Sequence, residues 1–498
     1  MRTQSRLPLR SSPESSSARQ QVRTAQRLLC VDMDGTVLAT DTLWESLLVL
    51  VKSHPWLLFL LPLWLCGGRA AFKRQIAQRV QPDISLFPYR KEVLAFLAEE
   101  KNSGREIVLA SAADEKIAAD VAAHLGLFSA VLASNGTLNL SGRRKLDAIE
   151  RHAAGNEFDY IGDSLADLPI WSRAHKAMLV SPSARLFKRV AAAAPVGRVF
   201  RSERNTLRRL MKALRVNQWS KNLLIFVPLI VGHKITDLHM VSNALWAFLA
   251  FCLCASSAYV LNDLMDLEAD RRHPRKRNRP FAAGDLGIAL GLTLVPVLWL
   301  LSFATAGLFA SFRFSIALFI YFAITLAYSF WIKRIVILDV LTLAGLYTIR
   351  VLAGGAATGI PISPWLLAFS AFLFLSLALV KRYAELRLVR SVSGLEVSGR
   401  DYNVGDLQLL SSIGPASGLI SILVLALYIN SPEVVLLYRS PLTLWLIGPL
   451  LLYWITRLWL LAHRDSIIDD PLVFTARDPI SYVVGILILG VIACASFF

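Results

Sequence analysis

Cysteine is scarce, with five residues in 498. They are Cys30, Cys66, Cys252, Cys254 and Cys494, all in apolar surroundings. The one Cys-x-Cys, at 252/254, has no second pair and no histidine near it. This pattern excludes a disulfide framework and a thiolate zinc site, and it marks all five as packing residues. Negative charge is also short: 36 Asp+Glu face 53 Lys+Arg, a net charge of +17. The basic clusters carry no interleaved aromatics, so the stacking platform of single-strand nucleic-acid binders is missing. No nucleic-acid partner is expected. Residues 1–27 lack an apolar core and are rich in Ser, Arg and Gln. Such a stretch is a disordered tail and not a secretory signal.

What is present is hydrophobicity. The chain is 55% hydrophobic, high for a soluble protein. Apolar segments lie at 223–231, 241–261, 289–308, 316–332, 336–352, 364–380, 413–429, 442–461 and 480–498. Nine spans are expected, the first of them short. Basic stretches at 271–279, 333–334, 381–390 and 457–477 alternate with loops at 359–364 and 431–441 that carry little positive charge. The positive-inside rule puts the basic stretches on the cytoplasmic side. The soluble half, ahead of the spans, joins on that same side. The expectation is an integral protein of a bacterial inner membrane, in contact with the lipid bilayer, with its soluble domain and active sites cytoplasmic.

The spans are organised around Asn262-Asp263-Leu264-Met265-Asp266-Leu267-Glu268-Ala269-Asp270. On a continuous helix Asn262, Asp266 and Asp270 fall at i, i+4, i+8, and Asp263 and Asp270 at i, i+7. All four then line one face. Acids stacked at a membrane helix end are costly unless a cation neutralises them. Hard divalent cations take carboxylate and carbonyl oxygens, and Mg²⁺ leaves room for substrate phosphates. A Mg²⁺–diphosphate site at the membrane surface is expected here. The acids at 465–470 and Asp478 read as loop structure.

The soluble half reads as α/β. Leu28-Leu29-Cys30-Val31 is a short buried strand ending in Asp32-Met33-Asp34-Gly35-Thr36. Residues 106–110 form a second strand, ending at Ser111; Arg144-Lys145 opens a helix. Phe158-Asp159-Tyr160-Ile161 leads into Gly162-Asp163-Ser164-Leu165-Ala166-Asp167. Polar residues thus gather at the C-terminal ends of strands, where open parallel sheets bind ligands. These four pieces, in this order, resemble the haloacid dehalogenase (HAD) superfamily of phosphatases over roughly 28–199. The resemblance implies a Rossmannoid fold, with Asp32 as the nucleophile and Asp34 as the general acid/base. Ser111 and Lys145 would hold phosphoryl oxygens, and Asp32, Asp34, Asp163 and Asp167 would form the Mg²⁺ site. A carboxylate attacks phosphorus only when a metal and a lysine screen the phosphate charge. The apolar stretch 56–66, bracketed by Pro55 and Pro62, falls where such phosphatases insert a cap. It reads either as a surface resting on the membrane or as an ordinary buried cap core.

The motif N-D-x-x-D-x-x-x-D within nine spans resembles the UbiA prenyltransferase superfamily, over about 207–498. The resemblance implies an all-α polytopic domain that binds diphosphate through Mg²⁺, with Asp263 and Asp266 catalytic and Asn262 and Asp270 beside them. Further stretches are similar to the decaprenyl-phosphate phosphoribosyltransferase branch. They are Arg215-Val-Asn-Gln-Trp219-Ser-Lys221-Asn222, the basic run from Arg271 to Pro280, Arg350-Val-Leu-Ala-Gly-Gly355 and Lys381-Arg382-Tyr383-Ala384-Glu385. That branch joins phosphoribosyl pyrophosphate to a polyprenyl phosphate. Lys221, Asn222, Arg275, Lys276, Arg279, Tyr328, Lys333, Asp339, Arg350 and Lys381 would contact these two substrates. Aromatic prenyltransferases carry a second motif, D-x-x-x-D. Here Asp339 is followed four residues on by Leu343, which weakens that reading.

The organisation expected is a tail at 1–27, a HAD-like domain at 28–199, a basic linker at 200–214 and a membrane transferase domain at 215–498. The leading function is Mg²⁺-dependent phosphoribosyl transfer to polyprenyl phosphate, with the HAD domain removing the product's 5-phosphate. Prenyl transfer from a prenyl diphosphate to an aromatic or other small acceptor stays open, as does a non-enzymatic membrane scaffold.

Overall fold

The computed structural model describes residues 27–201, 205–392, 401–467 and 470–497. The tail expected at 1–27 lies outside them except for Arg27. The chain divides into two compact units, Met1–Glu203 and Arg204–Phe498.

The first unit is built on a six-stranded sheet. The strands are β1 (Leu28–Val31), β2 (Ile107–Asp114), β3 (Ala130–Ser134), β4 (Phe158–Gly162), β5 (Ala177–Val180) and β6 (Val196–Phe200). Their order is β3-β2-β1-β4-β5-β6, and every pairing is parallel. A central parallel strand is covered on both faces and so reads as an unbroken apolar run, as β1 does. The two-residue period then divides its side chains. Leu28 and Cys30 join a cluster with Tyr160 and Trp171, while Leu29 and Val31 join Val93, Leu97 and Ile161. The strand order reverses between β1 and β4, which opens a crevice at their C-terminal ends.

Between β1 and β2 the chain makes the helices Thr42–Ser53, Leu61–Cys66, Gly68–Ala77 and Lys91–Asn102. Pro55 and Pro62 stand in the first turns of short helices, the positions where a missing N–H does no harm. Leu57, Leu61 and Trp64 pack on Leu50, Ile76 and Val80. Trp56, Phe59, Leu63 and Leu65 point out, Phe59 being 87% exposed. The stretch 56–66 is therefore not a wholly buried cap core.

The second unit is helical. Among the described residues, eight helices are long and apolar enough to cross a membrane: Leu238–Met265, Ile288–Phe309, Phe312–Phe330, Leu338–Thr358, Pro364–Leu388, Val404–Ile429, Pro441–His463 and Pro479–Phe497. The ninth expected segment, 223–231, is instead the end of a 3-10 stretch, Val216–Phe226, followed by the five-residue helix Val227–Val231. Pro228 stands in the first turn of that helix, and five residues cannot cross a bilayer. Small residues set the inner packing, since lipid gives helices no hydrophobic reason to associate and close approach must supply the contact. A Cβ on Gly354 would sit 2.1 Å from the Ile225 carbonyl oxygen. The 3-10 stretch thus lies directly on the helix Leu338–Thr358.

Three sequence expectations need correction. Cys66 and Cys494 are exposed, so only Cys30, Cys252 and Cys254 are packing residues. The acidic stretch is not one continuous helix. Leu238–Met265 ends at Asp266, whose backbone leaves helical geometry, and a short helix, Leu267–Arg272, restarts beyond it. Much of the stretch read as a linker, Thr206–Ala213, is helical.

Candidate functional sites

The crevice between β1 and β4 holds the first site. Asp32 directly follows β1, and its carboxylate accepts the Met33 N–H at 2.8 Å. Lys145, from the helix Arg143–Ala153, reaches Asp32 at 3.0 Å and Asp167 at 3.3 Å. One carboxylate oxygen each from Asp32, Asp163 and Asp167 lies within 4.8 Å of the others. Two glycines make this approach possible. A Cβ on Gly35, which has φ +73°, would stand 2.1 Å from Asp163 Oδ2. One on Gly162 would stand 2.8 Å from Asp167 Oδ2. Ser111 is fully buried in β2, and its Oγ accepts the Ala113 N–H. The Asp34 carboxylate lies apart from the trio, accepting the Thr42 N–H at 3.0 Å and its hydroxyl at 3.2 Å.

Burial pushes the Asp163 carboxyl up to about 7, and Asp32 and Asp167 push it further in the same direction. Burial likewise raises Asp32 to about 6, against the opposing pull of Lys145. Asp34 is also raised well above the usual carboxylate range, by burial first and then by Asp41. Burial disfavours the Lys145 ammonium, but Asp32 and Asp167 outweigh it and hold the proton on. The three crowded carboxylates are an oxygen donor set that fits a hard divalent cation, with the Lys145 ammonium beside them as fixed positive charge. Sequence reasoning missed Tyr160, whose hydroxyl donates to Asp167 at 2.8 Å and accepts from Lys145 at 3.1 Å. It reads in sequence as one more core aromatic.

The second site lies in the membrane unit. Asp263 is buried and paired with Arg215 and, at 3.1 Å, with Arg279. Arg279 also holds Asp270 at 2.5 Å. Asp266, beyond the helix break, turns to Lys333 at 3.0 Å. The break thus brings Asp263 and Asp270 together through one arginine and sends Asp266 elsewhere. Among the described residues, the cluster of converging ligand atoms is the one in the first unit. Arg275 and Lys276 are exposed. Asn222 and Arg350 are buried and joined at 2.9 Å.

A family model described as UbiA prenyltransferase family matches residues 225–475. The chain belongs to the UbiA prenyltransferase family. A second model, haloacid dehalogenase-like hydrolase, matches residues 29–172, so the UbiA domain is fused to a HAD-like domain. The uncharacterized protein y4nM of Sinorhizobium fredii is 39% identical over 472 residues, 94% of this chain and 90% of that one. The nodulation protein NoeC of Azorhizobium caulinodans is 36% identical over 276 residues, 55% of this chain and 88% of that protein. The decaprenyl-phosphate phosphoribosyltransferase of Mycobacterium tuberculosis is 39% identical over 188 residues. That match spans 37% of this chain and 62% of the enzyme's length. A solved UbiA homolog from Archaeoglobus fulgidus bound to GPP and Mg²⁺ covers 57% of this chain and 99% of its own, at 17% identity and a TM-score of 0.45.

Within the UbiA domain Asp339 is fully buried and engaged. It lies 2.5 Å from Arg382 and accepts the Tyr402 hydroxyl at 2.6 Å. Arg382 also pairs with Glu385. Tyr328 lies within electrostatic reach of this group and of Lys381. The acids read as loop structure divide. Asp465 and Asp478 pair with Arg387 and Arg457. Asp469 lies outside the described residues. Asp470, missed as a site residue, binds Lys221 at 2.8 Å, Lys381 at 3.0 Å and the Tyr347 hydroxyl. Its position in an acidic run hid it, because nothing local separates a solvated aspartate from one that folds back onto the bundle.

Proposed function

We propose that the UbiA domain transfers phosphoribose from phosphoribosyl pyrophosphate to a polyprenyl phosphate in a bacterial inner membrane, with its basic loops cytoplasmic. The observation that carries the reading is the state of Asp339. Leu343 stands where a second acid would complete D-x-x-x-D. The remaining acid is consumed by Arg382 and Tyr402. The acid pair that would hold a second metal, as aromatic prenyl transfer in this family uses, is therefore incomplete at this position, with one acid in place of two. The 39% identity with a phosphoribosyltransferase over 188 residues supports the same donor.

The lipid phosphate oxygen attacks the anomeric carbon, and pyrophosphate leaves. The acceptor is already an anion, so no strong base is needed. Asp263, Asp266, Asn262 and Asp270 are the residues that would hold a Mg²⁺ to neutralise charge on the leaving group, although in this structure Asp266 is turned to Lys333. Arg279 and Lys333 supply fixed positive charge at the same acids. Arg275 and Lys276 are free to meet a phosphate from solvent. The product keeps a 5-phosphate on its ribose. In the HAD domain Asp32 attacks that phosphorus, and Asp34 gives a proton to the departing sugar oxygen. Lys145 and Ser111 hold phosphoryl oxygens, and Asp32, Asp163 and Asp167 provide the Mg²⁺ site. Water then releases phosphate from Asp32. Fusion keeps the second enzyme at high effective concentration near the first product.

The test is product analysis with purified protein, Mg²⁺, phosphoribosyl pyrophosphate and polyprenyl phosphate. A ribosyl lipid is expected. Turnover of a prenyl diphosphate with an aromatic acid, and none of phosphoribosyl pyrophosphate, would favour prenyl transfer instead.

A further inference from the structure

We infer that the eight-residue helix Thr206–Ala213 is an interfacial anchor whose partner is the anionic phospholipid surface of the bilayer. The inference rests on the helix and the membrane unit that carries it, not on which donor that unit uses.

The helix is built for a boundary. Asn205 caps it, its Oδ1 accepting the Arg208 N–H at 3.1 Å, and Leu, Met, Arg, Lys and Ala are good helix formers. Eight residues alone are nevertheless too few to hold a helix in water, so packing must supply the rest. The helical turn sorts the side chains into three strips. Arg209, Leu210 and Ala213 face the protein: Ala213 is buried, and Arg209 pairs with Asp285 at 3.2 Å. Leu207 and Met211, four apart, form a second strip and are 67% and 45% exposed. Arg208 and Lys212, also four apart, form a third and are exposed as well. An apolar strip beside a basic one is the pattern of a helix lying in the plane of a bilayer surface.

The charges are left open. Residues 205–215 hold four cations and no acid. Arg209 and Arg215 are matched by Asp285 and Asp263. Among the described residues Arg208 makes no ion pair, and Lys212 meets a neutral acceptor, the Asn278 carbonyl at 2.7 Å. Arg277, next to Asn278, is exposed too. The basic strip thus continues toward a basic loop and finds no carboxylate of its own.

The helix also stands where the bilayer surface must be. Just beyond it the Leu214 carbonyl accepts the Ser256 hydroxyl at 2.8 Å, and Arg215 pairs with Asp263. Both partners belong to the span Leu238–Met265, and Asp263 is near its C-terminal end. A helix tied to the end of a span holds its outward strips at the level of the lipid head groups. Anionic head groups supply the missing negative charge, each lysine or arginine near the surface gaining about fivefold in partition. The acyl boundary takes Leu207 and Met211. Free phosphate would meet the cations and leave both apolar side chains in water, so a lipid surface matches the two strips where a soluble anion matches one.

A depth measurement on the full chain tests this. The exposed thiols, Cys66 and Cys494, are replaced by serine, and the three buried thiols are out of reach of a label. Met211→Cys, at an exposed side chain, then carries a nitroxide. The protein is placed in nanodiscs of phosphatidylcholine alone or mixed with phosphatidylglycerol. Collisions with oxygen, which concentrates in lipid, are compared with collisions with a water-soluble nickel chelate. With phosphatidylglycerol the label is expected about 5–10 Å into the head-group and acyl boundary, open to oxygen and closed to nickel. In phosphatidylcholine alone, nickel collisions should rise by about threefold or more. Arg208→Gln combined with Lys212→Gln should erase that lipid dependence. A label open to nickel in both lipids overturns the anchor. So does a label closed to both reagents, because protein would then cover the strip. Equal depth in both lipids, or an undiminished lipid dependence in the double variant, overturns the recognition of anionic lipid by these two cations. Transfer is not the readout, so failure of the phosphoribosyl reading and failure of the anchor are told apart.

Discussion

Lys145 lies 3.0 Å from Asp32, and both side chains are buried at the point where the strand order reverses. In the proposed HAD chemistry that pair is the core of the phosphoryl-transfer site, because the lysine would screen the anionic substrate from the anionic nucleophile. Asp32→Asn keeps the shape and removes the attacking charge. Lys145 keeps Asp167 as a partner, so the fold should hold. The variant should lose phosphatase activity by several orders of magnitude. It should still make polyprenyl-phosphoryl phosphoribose and should accumulate it, as lipid mass spectrometry would show. If the parent protein stops at the same phosphorylated lipid, the HAD domain acts on something else.

The site was legible in sequence where chemistry and position coincide. Asp32, Lys145, Asp163 and Asp167 each follow a strand or open a helix, and a parallel sheet delivers such ends to one edge; Ser111, expected at the end of its strand, lies inside β2 instead. The membrane half was less legible. Helix periodicity alone set Asn262 to Asp270 on one face, but the chain breaks at Asp266. Tertiary pairing of Asp263 and Asp270 with Arg279, and of Asp266 with Lys333, goes with the break. Asp470 could not be read locally, since its partners Lys221, Tyr347 and Lys381 lie far along the chain.

The aspartates of the UbiA domain separate by role. Asp266 is partly exposed and bound to one lysine, so Asp266→Ala should change stability by less than about 1 kcal/mol. Its loss of transfer should nevertheless reach orders of magnitude, several kcal/mol of barrier. Asp263→Ala should lose transfer equally and also unfold at lower temperature, because it leaves Arg215 without its carboxylate. Near-normal transfer by Asp266→Ala would sink the Mg²⁺–diphosphate site.

Asp339→Ala tests the opposite case. Asp339 and Arg382 are both fully buried. Removing one member of a buried ion pair typically costs about 3–5 kcal/mol, because the other is left uncompensated. Glu385 remains as a partial partner, so the lower end is expected. Transfer should fall with the loss of folded protein. Unchanged thermal unfolding with abolished transfer would instead make Asp339 a direct ligand and revive the aromatic prenyltransferase reading.

The acidic trio of the HAD domain links metal, pH and stability. Asp163 and Asp32 are raised to about 7 and about 6, mainly by burial. The unfolded chain loses these protons near pH 4. A raised carboxylate therefore contributes stability that is fully present below about pH 4 and is lost as the pH rises through about 6 to 7. Without Mg²⁺ the domain should weaken over that window. Mg²⁺ needs the ionised groups, so its stabilising effect should grow over the same window. Thermal unfolding of the full chain with Mg²⁺ or with a chelator, across about pH 5 to 8, checks the sign. An equal Mg²⁺ shift at both ends would remove these carboxylates from the metal site. Gly35→Ala should abolish the shift altogether, since its Cβ would collide with Asp163 at 2.1 Å.

The apolar surface at 56–66 bears on how the HAD-like domain would meet a lipid, if it acts as the proposed phosphatase. Leu57, Leu61 and Trp64 anchor the segment inward on Leu50, Ile76 and Val80. Trp56, Phe59, Leu63 and Leu65 are left facing out. Phe59 is 87% exposed, so replacing it should hardly change the fold. An exposed apolar patch is stable in water only at a cost and marks an interaction surface. Burying a phenylalanine side chain in a bilayer interface is worth about 1.5–3 kcal/mol. Phe59→Glu forfeits that and adds a charge. The expected result is a selective loss. Hydrolysis of the ribosyl lipid phosphate in vesicles should fall about tenfold or more, while hydrolysis of a small soluble phosphate ester should be unchanged. Equal rates on both substrates would show that the cap does not deliver the lipid. An equal fall on both would place Phe59 in the catalytic pocket instead of at the membrane.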